Sequence, residues 1–395
     1  MAPFPSELIE PTKTHHITKP SSSKPVTTTV NPQTPYFISL PIRTCEKSTG
    51  SLISDAISST ISSCSLPGSR AQRAAIQRHT NPFGNLYGMA FSLSEQDRLE
   101  VAVKFIEFLC ILDDVMEELP YEQAIREHEI LCQVLNPTSH ESFMFGVGEP
   151  ESECLEGMKR FLIDIRETVL SLNPEQGHIL LADLERTLRQ RECAPASFGA
   201  LEEYVPYRIV NLDWYFVCLL LRWSMNISLP SPSSSSTSSS SLDSLINDFE
   251  YISGAIAGLG NDYYSWNREK HQFQFQSTES SDSDSDSDSE LSEMQLSDRI
   301  MNAVPVLMRQ HSISEVRAKE SLKEIVVQQV ERLEELRKGM EVELERSSAI
   351  ATSSSVIGGD LDELEEGLKR YLTGLECVAA AYVYWCSTCP RYYVF

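Results

Sequence analysis

The spacing of apolar side chains most constrains the fold, because they recur every three or four residues from about Ser51 onward. This spacing lines up one face of an α-helix, whereas a half-buried strand needs strict alternation. We find no Asn-Gly signal of the kind that joins two alternating strands. The pattern predicts an all-α, single-domain protein, with its clearest helices at residues 94–112, 151–172, 177–192, 207–225, 242–266, 298–308, 313–339 and 361–384.

Low-complexity segments set the expected limits of this domain. Residues 1–36 are rich in Ser, Thr and Pro, so we expect a disordered lead-in and a folded domain at 37–395. A serine run at about 229–242 and a Ser-Asp repeat at about 274–294 are expected to be surface loops. The repeat is either a phosphorylation or cation-binding tract or a tolerated insertion, and we favour the insertion.

Charge and composition exclude several functions. The net charge of −24 argues against sequence-independent nucleic-acid binding, which requires Lys and Arg to neutralise phosphates. Residues 1–36 lack the apolar core of a signal peptide and contain no Arg, so we expect neither a signal nor a transit peptide there. No stretch reaches the ~18 apolar residues of a transmembrane helix. We therefore expect a soluble, cytoplasmic protein. Its ten cysteines contain one C-x-x-C, Cys386 and Cys389, and are expected to be reduced and mostly buried.

One short stretch carries a row of oxygen donors. Asn261, Ser265 and Glu269 are spaced four residues apart. On a helix, each step of four residues advances by only about 40°, so the three side chains share a face. An amide, a hydroxyl and a carboxylate together suit a hard divalent cation, above all Mg²⁺.

A second acidic cluster ends an apolar helix upstream. Asp113 and Asp114 lie in it, and Glu117 shares a helix face with Asp113. Carboxylates this close repel one another, so a buried or half-buried cluster requires cations nearby. Acidic clusters are common on helix surfaces, so this cluster alone is weak evidence for a metal site. The second row of oxygen donors, at 261–269, strengthens that evidence.

The two clusters together resemble the metal-binding motifs of class I terpene synthases: an aspartate-rich motif and an N-x-x-x-S-x-x-x-E motif. Residues 299–308, and Trp385 with the terminal Arg391-Tyr392 pair, resemble the cyclase half of fungal bifunctional di- and sesterterpene synthases. The likeness covers about residues 37–392. Because the chain stops at Phe395, we expect a separate prenyltransferase to supply the substrate, unless the chain is a cyclase piece of a longer protein. The oligomeric state, monomer or homodimer, is left open.

The resemblance implies a role for each motif residue. Three Mg²⁺ ions are expected, with Asp113 as a ligand, Asp114 and Glu117 as ligands or orienting partners, and Asn261, Ser265 and Glu269 holding the third ion. Arg208, followed by Asn211, resembles the family's diphosphate sensor, and the diphosphate is also expected to meet Arg268, Arg391 and Tyr392. The expected catalytic set is Asp113, Asn261, Ser265, Glu269 and Arg208.

The carbocation formed by such an enzyme requires an apolar, aromatic cavity. Candidate lining residues, chosen for their nearness to the motifs, are Phe83, Tyr87, Phe91, Phe108, Trp214, Phe216 and Trp385. No base for the final deprotonation can be assigned from the sequence. The polar stretch at 270–298 is a hypothetical lid over the site.

The implied reaction is cyclisation of a linear prenyl diphosphate, with geranylgeranyl diphosphate (C20) slightly favoured over geranylfarnesyl diphosphate (C25). One alternative is a prenyl-chain-elongating synthase, which would need a second aspartate-rich motif where this chain has Asn261, Ser265 and Glu269. The other is a non-catalytic helical interaction protein.

Overall fold

The computed structural model describes residues 26–28, 30–31, 33–46, 49–116, 119, 121–135, 153–191, 198–228, 239–279, 301–353 and 359–392. This part of the chain is overwhelmingly helical, which confirms the predicted all-α fold. In chain order the helices are α1 (Gly50–Cys64), α2 (Arg70–Arg78), α3 (Leu86–Ala90), α4 (Gln96–Met116), α5 (Tyr121–Leu135), α6 (Glu153–Leu172), α7 (Pro174–Arg191), α8 (Leu201–Asn211), α9 (Trp214–Ser224), α10 (Ser239–Glu279), α11 (Ala303–His311), α12 (Glu315–Ser353) and α13 (Gly359–Thr388). A 3₁₀ turn at Pro390–Tyr392 follows α13.

Helix α10 is the centre of the bundle and packs against α8, α11, α12 and α13. Residues 252–262 are all buried, as expected for a helix surrounded by others. Two glycines let neighbours approach closely. A Cβ on Gly254 would lie 2.6 Å from the Trp214 ring, and one on Gly260 would lie 2.6 Å from Val383. The glycines of α10 therefore set how closely α9 and α13 approach the central helix.

The predicted helix at 207–225 is wrong in one respect, because it is broken between α8 and α9. Asp213 has a φ of 56°, in the left-handed region that a side chain rarely adopts. The amide of Leu212 donates to the carbonyl of Arg208 as α8 ends, and α9 begins at Trp214. Apolar periodicity continues across the break, so periodicity could not reveal it.

Part of the predicted disordered lead-in is folded. Strand β1 (Val26–Thr28) pairs antiparallel with β2 (Ile42–Thr44). The Tyr36 ring packs edge-on against Tyr384 at 5.4 Å, and Tyr264 donates to the carbonyl of Pro35 over 2.6 Å. The boundary at residue 37 is therefore too late, because these polar-rich residues gain backbone pairing and aromatic contacts in the tertiary structure. Residues 1–25 lie outside the described residues.

Both predicted insertions overlap α10 at their ends. The helix includes 239–242 and 274–279, where loops were expected. The remaining residues of the insertions, 229–238 and 280–294, lie outside the described part of the chain. The proposed lid at 270–298 is helical to Glu279, and its remainder is likewise outside.

In the described residues, no helix combines the length and apolar character needed to cross a membrane. The described cysteines are all free, including Cys386 and Cys389, and most are buried.

Candidate active site

A cavity of about 410 Å³ lies between α4, α8, α9, α10 and α13. Much of its wall is aliphatic or aromatic, and the remainder carries carboxylates, amides and arginines. Such a cavity suits a long apolar molecule with an anionic head group. The apolar lining residues are Leu86, Ala90, Phe91, Ile106, Leu109, Leu212, Trp214, Val217, Val378 and Trp385.

The oxygen donors of α10 all line this cavity, since Asn261, Ser265 and Glu269 lie on one helix face. The Oγ of Ser265 is buried and lies beside the Glu269 carboxylate, one helical turn further along α10. Glu269 Oε2 accepts a hydrogen bond from Asn302 Nδ2 at 3.0 Å. Burial, with added repulsion from Asp262, raises the pKa of Glu269. The row thus contains a buried hydroxyl and a carboxyl with a raised pKa, and both would gain from a nearby cation.

The neighbouring aspartates of α4 have different surroundings. Asp113 is exposed and lines the cavity. Asp114 is buried, and its two oxygens are taken by Arg78 and by Arg391, the latter at 3.3 Å. This arrangement favours an orienting role for Asp114 over a ligand role. Glu117, the third member of the predicted cluster, lies outside the described residues.

Arg208 reaches the α10 row of oxygen donors from α8. Its guanidinium donates to Asn261 Oδ1 at 2.7 Å and to Asp262 Oδ1 at 2.9 Å. Burial alone would lower the pKa of Arg208, but neighbouring groups, led by the Asp262 carboxylate, raise it well above its ordinary value. Arg208 therefore keeps its charge at the cavity wall, where it also contacts Asn211.

Asp262 is a residue that the sequence reasoning missed, although it directly follows Asn261. It is completely buried and accepts hydrogen bonds from Tyr204 at 2.7 Å and from the amide of Ala303 at 3.0 Å, besides that from Arg208. Burial raises the pKa of Asp262. Its function is to hold Arg208 and to join α8, α10 and α11.

The other predicted diphosphate donors also lie on the cavity wall. Arg268, Arg391 and Tyr392 all line it. Asn261 Nδ2 donates to the Tyr392 hydroxyl at 3.0 Å, and the Tyr392 ring packs edge-on against Trp385 at 5.7 Å. The terminal turn is thereby connected to the α10 row of oxygen donors.

Four of the seven predicted aromatics line the cavity: Tyr87, Phe91, Trp214 and Trp385. The other three predictions are wrong. Phe83 is 43% exposed, Phe108 stacks on Phe161 at 5.9 Å, and Phe216 packs edge-on against Phe105 at 5.7 Å. Phe108 and Phe216 point into the core, because nearness in sequence does not determine which face of a helix meets the cavity.

Further polar or aromatic lining residues were missed, among them Tyr382, Arg78 and His79. Tyr382 comes from α13, and Arg78 and His79 come from the end of α2. Arg78 donates to Glu107 at 3.2 Å as well as to Asp114, which ties α2 to α4. The Arg78-His79 dipeptide could have indicated two of these residues from the sequence, but it lies far from both motifs.

The donor set fits a hard cation such as Mg²⁺. Within the described ranges, no three His, Cys, Asp or Glu side chains cluster as a metal site on their own. The α10 row instead combines one carboxylate with an amide and a hydroxyl, and all three offer oxygen. The specific feature that such an ion would satisfy is the buried Oγ of Ser265 beside the Glu269 carboxylate, whose pKa is raised by burial and by Asp262.

Comparison with known proteins agrees with this geometry. The family model described as "Terpene synthase family 2, C-terminal metal binding" matches residues 104–332. Preasperterpenoid A synthase of Talaromyces verruculosus is 24% identical over 312 residues, covering 77% of this chain and 33% of the relative. A sesterterpene synthase of Colletotrichum orbiculare is 24% identical over 321 residues, covering 79% and 38%. The chain therefore spans about a third of the length of these relatives.

Solved structures show the same fold. Hedycaryol synthase superimposes with a TM-score of 0.60 at 14% identity, covering 89% of this chain and 97% of that one. Aristolochene synthase from Penicillium roqueforti gives 0.54 at 15% identity, covering 88% and 98%. The family model covers more than half of the chain. The chain therefore belongs to terpene synthase family 2.

Proposed function

We propose that this protein is a class I terpene cyclase that ionises a linear prenyl diphosphate with Mg²⁺ and cyclises the resulting carbocation, releasing diphosphate. The observation that carries the proposal is one apolar cavity whose wall holds Asp113, the row Asn261, Ser265 and Glu269, and a set of arginines. The apolar wall matches the prenyl chain, and the charged wall matches its diphosphate.

In this proposal the chain's own residues bind and orient the leaving group. Arg208, Arg268 and Arg391 donate hydrogen bonds to diphosphate oxygens, since a planar guanidinium suits phosphate. Asp113 and the α10 row would hold Mg²⁺, with three ions expected, and the metal would supply charge stabilisation for the departing diphosphate. Asn261 must then exchange its hydrogen bond from Arg208 for the ion.

The cavity wall protects the cation. Phe91, Trp214 and Trp385 present aromatic faces, which stabilise positive charge without attacking it. Burial raises the pKa of Tyr87 and of Tyr382 well above the ordinary value, so both phenols stay neutral. Neutral phenols are poor nucleophiles, which favours rearrangement of the cation over its capture.

The substrate is proposed to be geranylgeranyl diphosphate, with geranylfarnesyl diphosphate next. Two of the relatives are named as sesterterpene synthases, which supports keeping the C25 substrate beside the C20 one. We propose that a prenyltransferase supplies the diphosphate and that the reaction takes place in the cytoplasm.

The test is incubation of purified protein with Mg²⁺ and each of the C10 to C25 linear diphosphates, with products identified by gas chromatography and mass spectrometry. Asp113→Ala and Asn261→Ala should abolish cyclic products, whereas Asp97→Ala, exposed on the same helix as Asp113, should not. Turnover that survives both site variants would refute the assignment. Longer linear diphosphates made from isopentenyl diphosphate would instead identify a chain-elongating synthase.

A further inference from the structure

His79 forms a pair with Glu107 at the cavity wall. The imidazole follows the last residue of α2, lines the cavity and is 16% exposed. Its Nε2 lies 2.8 Å from Oε2 of Glu107, which is completely buried in α4. The pair connects a partly exposed ring in the cavity to a carboxyl group in the core.

Glu107 is held as a carboxylate by its neighbours. It accepts hydrogen bonds from Arg78 and from the Tyr87 hydroxyl as well as from His79. Burial acts to raise the pKa of Glu107, but the hydrogen bond from His79 and the charge of Arg78 outweigh it and the pKa is lowered. An ionised carboxylate only accepts hydrogen bonds, so the proton between the two side chains belongs to His79 Nε2.

That tautomer leaves Nδ1 with a lone pair. The contact with Glu107 is made through Nε2, so it does not use the lone pair of Nδ1. A neutral imidazole whose Nε2–H is held by a carboxylate is the arrangement that stabilises the imidazolium formed when the ring accepts a proton.

Few other groups on the cavity wall could accept a proton. Burial raises the pKa of the Cys110 thiol to about 11 and that of the Tyr87, Tyr382 and Tyr392 phenols above the ordinary range. Asp113 and Glu269 are occupied by metal in the proposed function. The lining groups that can accept a proton and have no role in the proposed function are His79 and Asp213. Of these two, His79 is the one that forms a hydrogen bond with a buried carboxylate, that of Glu107.

We propose that His79, positioned by Glu107, is the base that removes the proton ending the cyclisation, and this rests on the proposed function. Nδ1 takes a proton from a carbon next to the cationic carbon. The electron pair of that C–H bond becomes the second bond of an alkene. The positive charge passes to the imidazolium, which later returns its proton to solvent or to the released diphosphate.

The surroundings of the pair are electrically balanced. The titratable and charged groups near it are Arg78 on α2, Tyr87 on α3, Glu107, Cys110 and Asp114 on α4, and Arg391 after α13. Two guanidiniums therefore face two carboxylates. A proton gained by His79 adds one positive charge beside Glu107, its direct hydrogen-bond partner.

The test compares His79→Gln with wild type, using the prenyl diphosphate that wild type turns over. Glutamine keeps an N–H donor for Glu107 but has no basic nitrogen. Diphosphate release should stay within about threefold of wild type, because ionisation does not use the base. The ratio of the wild-type alkene to alcohols and isomeric alkenes should fall by at least about a hundredfold, the low end of general-base effects.

Two variants serve as controls. His178→Gln, exposed on α7, should leave the product ratio unchanged. Asp213→Asn should also preserve the main alkene. If Asp213→Asn changes the alkene ratio and His79→Gln does not, the base is Asp213 and the inference is overturned.

A wild-type ratio of alkene to alcohols in His79→Gln, with diphosphate still released, overturns the inference alone, since the cyclase activity would remain. A wild-type protein that releases no diphosphate from any prenyl substrate overturns the proposed function as well.

Discussion

Replacing Gly254 by alanine tests how the cavity wall is positioned. The added Cβ would lie 2.6, 2.8 and 2.9 Å from Cδ1, Cγ and Nε1 of Trp214. The indole is rigid and 2% exposed, and its Nε1 donates to the carbonyl of Glu250 at 2.8 Å. Since a distance under 3 Å is not tolerated, the ring must move, and the cavity must change shape with it.

The expected energy follows from three effects. Gly→Ala inside a helix contributes about 1 kcal/mol of stability. Overpacking costs about 1–3 kcal/mol. Weakening the indole hydrogen bond costs about 1 kcal/mol. The free energy of unfolding of Gly254→Ala should therefore fall by about 1–3 kcal/mol.

The assay is urea denaturation of wild type, Gly254→Ala and a matched control, Gly339→Ala. Nothing lies within 4 Å of a Cβ built on Gly339, which is exposed on α12. The control should therefore gain about 0.5–1 kcal/mol. The product mixture of Gly254→Ala should also differ from wild type. If Gly254→Ala is stabilised as much as Gly339→Ala and makes the same products, Trp214 does not lie against Gly254 and the reasoning is refuted.

Three further predictions concern the same site. Asp262→Asn breaks the buried ion pair with Arg208, so it should destabilise the protein by about 3 kcal/mol or more in chemical denaturation and lower turnover. An Asp262→Asn variant with wild-type stability would contradict this role of the ion pair. The pKa of Glu269 is raised, so on acidification its carboxylate is protonated at a pH above the ordinary value of about 4.3. Mg²⁺ affinity, measured by calorimetry with diphosphate, should weaken as the pH falls through that range. Glu269→Gln should remove this pH dependence of the Mg²⁺ affinity. Phe91→Leu should alter the product mixture because Phe91 lines the cavity. Phe108→Leu should leave the product mixture unchanged and lower the free energy of unfolding by about 1–2 kcal/mol. The reverse pattern would show that Phe108 lines the cavity and Phe91 belongs to the core.

The motif residues illustrate how much of the site local spacing can predict. Positions 261, 265 and 269 share a face of any α-helix, so their convergence follows once the segment is helical. Asp113 and Asp114 show the limit. Adjacent residues on a helix are about 100° apart, so one lines the cavity and the other meets Arg78. The sequence of these two acidic residues does not show which of them lines the cavity and which pairs with an arginine.

Other parts of the site depend on contacts between distant segments. Arg78 and His79 reach the cavity because α2 packs against α4, and Glu107 is charged because those two residues and Tyr87 surround it. No spacing in the sequence relates these positions, so the base proposed here could not be assigned from it. The break at Asp213 was likewise hidden, since apolar residues continue on both sides of it.

The amino-acid sequence is enough to predict the all-α class and the shared helix face of Asn261, Ser265 and Glu269. Both follow from helical periodicity, a property of neighbouring residues. Contacts between helices place Phe91 at the cavity and Phe108 in the core, pair Asp114 with arginines and bring His79 to Glu107. Burial, ion pairing and tautomer depend on which helices come together, because packing joins residues that are far apart in the chain.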